Sequence, residues 1–248
     1  MLAKREPPIY GSELAMKTIG LIGGMSWEST ALYYRVLNES VKERLGGLHS
    51  AKLILYSVDF ADVERLQRAE DWDSAGKLLA DVARSLQAGG ADFLMLCTNT
   101  MHKVASTIEA SVSIPLLHIV DTTAQSVVGA GYGCVGLLGT RFTMEQSFYK
   151  DRLAERHGLR VLVPEPADRE LVHRVIFTEL CVGKVLQSSR LQCRRVIEKL
   201  IAGGAEAIIL GCTELALLLG PDDSTVPLFD TTALHAKCAV ERALADVS

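Results

Sequence analysis

Short apolar runs alternate along the chain with longer stretches in which apolar residues recur every three or four positions. The runs KTIGLIG (17–23), AKLILYSV (51–58), ADFLMLC (91–97), IPLLHIV (114–120), GCVGLLG (133–139), RVLVP (160–164), AEAIILG (205–211) and VPLFD (226–230) read as strands. Each is apolar almost throughout, the pattern of strands covered on both faces. The stretches between them read as crossover helices. Ser26 caps WESTALYYRVLNESVKERL, with Ser29 and Thr30 competing for that place, and Asp168 caps RELVHRVIFTEL. The fold class is α/β with mostly parallel sheets.

The order of these runs repeats. GLIGG at Gly20 matches GLLGT at Gly136, AGGAD at Ala88 matches AGGAE at Ala202, IPLL at Ile114 matches VPLF at Val226, and DTTA at Asp121 matches DTTA at Asp230, at offsets of 116, 114, 112 and 109 residues. An ordered series with a slowly shrinking offset is the trace of a tandem duplication. Two pseudo-symmetric α/β domains follow, 16–120 and 121–230, with a C-terminal helix over 231–248 returning to the first and 1–15 a disordered leader. The leader has no apolar signal-peptide core, and either Met1 or Met16 can be the natural start. Ligands of open parallel sheets sit at the carboxyl ends of strands, so two facing copies enclose one cleft.

Composition narrows the function. With 248 residues, 48% hydrophobic and 23% charged, the chain can bury a sizeable core. A net charge of -4 without a Lys/Arg stripe argues against nucleic acid, and no apolar run reaches the roughly twenty residues of a membrane span. The expectation is a soluble, cytoplasmic protein acting on a small molecule. Six cysteines without C-x-x-C or His/Cys spacing imply neither a disulfide framework nor a metal site.

Two cysteines stand where an apolar run turns polar: LMLCTNTMHK around Cys97 and IILGCTELA around Cys212. A thiol at a strand's carboxyl end, ahead of hydroxyls and amides opening a helix, has surroundings that lower its pKa from about 8.5 toward neutrality. Two proton-transfer groups on opposite walls can remove a proton from one face of a carbon and return one to the other, without a cofactor. Taken alone, each Cys reads as a buried small hydrophobe. The shared change to Thr and a further polar residue favours the cleft. Register then separates the two: Cys97 lies six residues after Ala91 of AGGAD, Cys212 seven after Ala205 of AGGAE, so the repeat sets Thr98 opposite Cys212 and Cys97 opposite Gly211.

GLIGGMSWEST, CTNTMHK, LGT and GCTEL resemble the motifs of the PLP-independent aspartate/glutamate racemase superfamily, over essentially all of 16–247. The resemblance implies two pseudo-symmetric domains with the site between them, a homodimer, and cofactor-independent racemisation of an amino acid. Members with two catalytic cysteines read C-N-T-x-H. Aligned on Asn99, Thr100 and His102, this sequence has Thr98 at the usual first Cys. The expected pair is Cys212 as thiolate base toward the L-enantiomer and Thr98 on the opposite face, with Cys97 as the alternative to Thr98. Asn99 and Thr100 are expected to hold the α-carboxylate or else to cap a helix; Met25 and Ser26 to line the cleft; Thr213 to contact substrate; and Glu214 to orient an ammonium or tune Cys212.

Aspartate-specific relatives place an Arg after the second strand and a Lys after the first long helix of the second domain. Here Glu64 and Cys181 occupy those places, with Arg65, Arg174 and Lys184 near enough to substitute, and Gln67, on the face of Glu64, is expected to bind a neutral or carboxylate substrate tail through its amide or else to be a plain surface residue. This suits broad or L-aspartate/glutamate specificity. A cysteine-dependent isomerase or decarboxylase of small dicarboxylic acids such as maleate, and an inactive small-molecule binding protein, are the competing readings. GLIGGM has neither G-x-G-x-x-G spacing nor a P-loop ending, which sets nucleotide binding aside. His102, His118 and His235 lack metal-ligand spacing and read as core or supporting histidines.

Overall fold

The computed structural model describes residues 16–247, so the leader expected over 1–15 lies outside the described residues. In the first half β1 (Ile19–Gly23), β2 (Leu53–Ser57), β3 (Phe93–Leu96) and β4 (Leu116–Leu117) pair in parallel in the order β2-β1-β3-β4. In the second, β5 (Cys134–Gly139), β6 (Arg160–Leu162), β7 (Ala207–Gly211) and β8 (Leu228–Asp230) pair in parallel in the order β6-β5-β7-β8. The same strand order twice is the sequence repeat in three dimensions. Central strands β1 and β3 are buried along their whole length, as continuous apolar runs require, while edge strand β2 is half exposed.

Helices α1 (Trp27–Leu45), α2 (Phe60–Arg68), α3 (Trp72–Ala88) and α4 (Ala105–Glu109) lie in the first half, and α5 (Ile119–Gly129), which straddles the boundary drawn at 120, closes the first copy of the repeat because its DTTA matches the DTTA of the C-terminal helix. The second has α6 (Arg141–Glu145), α7 (Ser147–Asp151), α8 (Pro166–Thr178), α9 (Gln187–Ala202), α10 (Leu215–Leu218) and α11 (Thr231–Ala243). The last helix of each half crosses over. Ile119, Val120, Ala124 and Val127 of α5 pack with Val135, Leu137 and Ile209 of the second sheet. Ala236, Ala239, Val240 and Ala243 of α11 pack with Ile19, Leu21 and Met95 of the first sheet and with Tyr33 and Leu37 of α1. Each half's closing helix thus completes the other half's core.

Two local expectations are corrected. The run 114–120 is not one strand: only Leu116 and Leu117 pair, and α5 opens at Ile119 with the His118 ring accepting from the Val120 N–H at 3.3 Å. A short apolar run does not distinguish a strand from the start of a buried helix. Helix α8 begins before Asp168, because Pro166 can occupy the first turn, where its missing N–H costs no hydrogen bond. Asp168 sits inside that turn and meets Lys199 at 2.7 Å. Ser26 caps α1 through the Ser29 N–H at 3.3 Å. Among the described residues no helix is long and apolar enough to cross a membrane.

Candidate active site

Strand pairing sets the register of the site. Gly20 pairs with Leu94 and its repeat mate Gly136 with Ile208; Ile22 pairs with Leu96 and Leu138 with Leu210. Two residues beyond Leu96 and Leu210 stand Thr98 and Cys212, which therefore occupy equivalent places, and both line one cavity between the two halves. Its volume of about 30 Å³ has room for little more than a water, so the two walls stand nearly closed on each other. Cys97 faces the other way. It has no exposed surface, packs with Tyr33, Met95 and Ala236, and burial pushes its thiol up, so the alternative to Thr98 lies in core, outside the cavity.

Glu214 organises the Cys212 wall. Its Oε2 accepts from Cys212 Sγ at 3.0 Å and from Thr213 Oγ1 at 2.6 Å, and its Oε1 accepts from Ser26 Oγ at 2.8 Å. Burial, then the Glu214 carboxylate, raise the Cys212 thiol well above its ordinary value. The expected depressed pKa is thus corrected: Cys212 is held as a neutral thiol donating to Glu214. The helix starts after the two motifs are also slight, a 3-10 turn over Thr100–Val104 and the single turn of α10, too short to supply much dipole.

Of the other expected residues, Met25, Gln67, Asn99, Thr100, Thr213 and Glu214 line the cavity. Ser26 does not, serving instead to hold Glu214. Asn99 makes no cap. Its Nδ2 donates to Thr231 Oγ1 at 3.0 Å and its Oδ1 accepts from Tyr149 OH at 2.9 Å, so both ends of the amide are engaged by the second half. Thr100 Oγ1 lies 3.0 Å from Thr140 Oγ1. Gln67 is buried, with Nε2 2.9 Å from Met101 Sδ.

His102 supports the Thr98 wall from beneath: its Nδ1–H donates to the Thr98 carbonyl at 2.8 Å, and its Nε2 accepts from the Ile119 N–H at 3.2 Å. Among the described residues no group of three or more His, Cys, Asp and Glu side chains is arranged to hold a metal ion.

Sequence reasoning missed Phe60, Thr140, Ile176 and Phe177, all lining the cavity, and named Cys181 only for its place. Thr140 had a signal, as the repeat mate of Gly24 in the first glycine turn. Ile176 and Phe177 had none beyond an apolar helix face. Of the substitute cations, Arg65 pairs with Asp62 at 3.4 Å, and neither it, Arg174 nor Lys184 lines this cavity.

A family model, the Asp/Glu/Hydantoin racemases, matches residues 22–239. The chain belongs to that family. Among solved structures, it is 56% identical to a Yersinia pestis protein named for the Asp/Glu racemases, with a TM-score of 0.87 over 92% of this chain and 100% of that one. An aspartate racemase homologue from Pyrococcus horikoshii OT3 is 35% identical, with a TM-score of 0.80 over 92% and 99% of the two chains. The broad specificity amino-acid racemase of Bacillus subtilis (strain 168) is 27% identical over 92% of this chain and 98% of its own length. The two solved relatives therefore share its two-domain fold over nearly all of their length.

Proposed function

We propose that this chain is a cofactor-independent amino-acid racemase in which Cys212 and Thr98 address opposite faces of the substrate α-carbon. The observation that carries the proposal is the register that sets these two side chains at equivalent places of the two halves, in one cavity. Family membership and the racemase names of its relatives support the reaction class.

Glu214 Oε2, already accepting from Cys212, takes the thiol proton as a substrate ammonium enters beside it. The thiolate then removes the α-proton presented by the L-enantiomer. The Thr98 hydroxyl delivers a proton to the opposite face; after the product leaves it recovers one from solvent, and Glu214 gives up to solvent the proton it took from Cys212. A threonine hydroxyl does not ionise near neutrality, so the step from D begins from the weaker base and turnover is faster from L to D. Thr100 and the backbone of the Thr98–Thr100 turn are the donors nearest the α-carboxylate. With an Asp-type Arg and Lys absent from Glu64 and Cys181, specificity is broad or directed to L-aspartate and L-glutamate.

The test is α-proton exchange in D2O, followed by NMR without added PLP, on L- and D-glutamate, aspartate, homoserine and alanine. Cys212→Ser abolishes exchange from the L side and Thr98→Ala slows exchange from the D side. Exchange from the L side surviving Cys212→Ser overturns the proposal. Equal rates from both enantiomers, unaffected by Thr98→Ala, overturn the role of Thr98 alone.

A further inference from the structure

Glu214 is shared between the two halves. Its Oε2 takes two donors from the second half, Cys212 Sγ at 3.0 Å and Thr213 Oγ1 at 2.6 Å. Its Oε1 takes Ser26 Oγ at 2.8 Å, from a residue 188 positions away in the first half. Ser26 and Glu214 are each only 3% exposed, so water does not compete for this contact.

A braced loop presents the Ser26 hydroxyl. Thr30 Oγ1 donates to the Ser26 carbonyl at 2.8 Å and accepts from the Gly24 N–H at 2.8 Å, which ties the loop on both sides of Met25 to the first turn of α1. Ser26 Oγ accepts from the Ser29 N–H at 3.3 Å, leaving its own proton for Glu214. Through that hydroxyl the start of α1, a helix of 19 residues, is turned toward the carboxylate. Such a helix end favours negative charge, and the short helix starts that follow Thr98 and Cys212 supply little of it. The Cys212 wall thus draws its support from the opposite half.

The cavity has room for little more than a water, so the halves part to admit an amino acid and close again round it. Parting takes Ser26 away from Glu214. We infer that Ser26 is a positioning residue that pins Glu214 on Cys212 only in the closed molecule, so that closure itself assembles the proton acceptor for the thiol. This deepens the racemase proposal and rests on it. With Oε1 released, the carboxylate is free to turn from the thiol, and Cys212 waits in the open cleft without help. Closure round the substrate returns Ser26 to Oε1 and Oε2 to the thiol before the α-proton moves.

The experiment uses Ser26→Gly and Ser26→Thr, which cap a helix about equally well but differ in the hydroxyl. Alkylation of Cys212 by iodoacetamide is followed by mass spectrometry across pH; its midpoint reads the thiol and its plateau rate reads how often the cleft opens. Ser26→Gly should lower the midpoint by about half a unit or more, because the carboxylate that raises the thiol no longer sits on it. It should also raise the plateau rate, because one tie between the halves is gone. Ser26→Thr should match wild type in both. With L-glutamate, Ser26→Gly should lower kcat about tenfold, the order expected for one lost hydrogen bond to a charged group, and Ser26→Thr should restore most of it. Added to Glu214→Ala, Ser26→Gly should move the midpoint no further. A midpoint unmoved by Ser26→Gly, the same shift in Ser26→Thr, or an undiminished shift on top of Glu214→Ala overturns the inference. Alkylation needs no turnover, which separates the two proposals. If wild type exchanges no amino acid but the midpoints move as stated, the racemase proposal fails and the positioning role of Ser26 stands.

Discussion

His235 makes the fold sensitive to acid, by an amount the structure allows to be worked out. The ring is fully buried; Nε2–H donates to the Leu117 carbonyl at 2.9 Å and Nδ1 accepts from Tyr33 OH at 2.9 Å, which requires the neutral form. Burial holds its pKa down, at about 4. An unfolded histidine titrates near 6.5, so between those values the unfolded chain binds a proton that the folded ring refuses. Stability present above about pH 6.5 is therefore lost as pH falls toward 4. At about 1.36 kcal/mol per unit, a gap of some 2.5 units amounts to about 3 kcal/mol, a large share of an ordinary domain's roughly 5–15 kcal/mol. His118, lowered to about 2, and His102, also lowered by burial, add to the loss; their ring centres lie 4.5 Å apart, with those of His102 and His235 at 6.1 Å. The assay is urea unfolding at pH 7, 6, 5 and 4 for wild type and His235→Gln. The glutamine amide can still donate to Leu117 but does not titrate. The variant should be about 1 kcal/mol less stable at pH 7 and should lose about 3 kcal/mol less than wild type down to pH 4. Parallel stability curves for the two proteins would refute the reasoning.

Other perturbations test other parts of the molecule. Glu214→Gln removes the carboxylate that raises the Cys212 thiol, so the midpoint for Cys212 alkylation, followed by mass spectrometry across pH, should move down while α-proton exchange falls; an unmoved midpoint would mean burial alone holds the thiol. Tyr149→Phe leaves Asn99 Oδ1 without its donor and should cost about 1–3 kcal/mol in unfolding experiments while raising KM. Gly24→Ala forces a side chain onto a residue at φ 92°, with its Cβ 2.2 Å from the Val58 carbonyl oxygen, and should cost more than about 2 kcal/mol and disturb the neighbouring Met25 wall; a Tm within a degree of wild type would count against that crowding.

The sheets were legible because their central strands are apolar at every position, and the Thr98–Cys212 match because AGGAD and AGGAE anchor the count on both sides. What escaped depends on partners distant in sequence. Nothing local in CTNT announces that Asn99 is clasped by Tyr149 and Thr231, 50 and 132 residues away. The sense of the Cys212 shift escaped too, because GCTEL does not say that Glu214 folds back onto the thiol two residues before it.

The exchange of α5 and α11 gives the chain the form of a swapped dimer whose two subunits have been joined end to end. Each half borrows part of the cover of one sheet face from the other, α11 beside α1 on the first sheet and α5 beside Tyr149 and Leu153 on the second. In a true symmetric dimer the two cleft walls would be copies of one another, bound to carry the same residue. Joining them freed the walls to drift apart, and this chain uses that freedom at the position that matters most: a hydroxyl at Thr98 on one side and a thiol at Cys212 on the other.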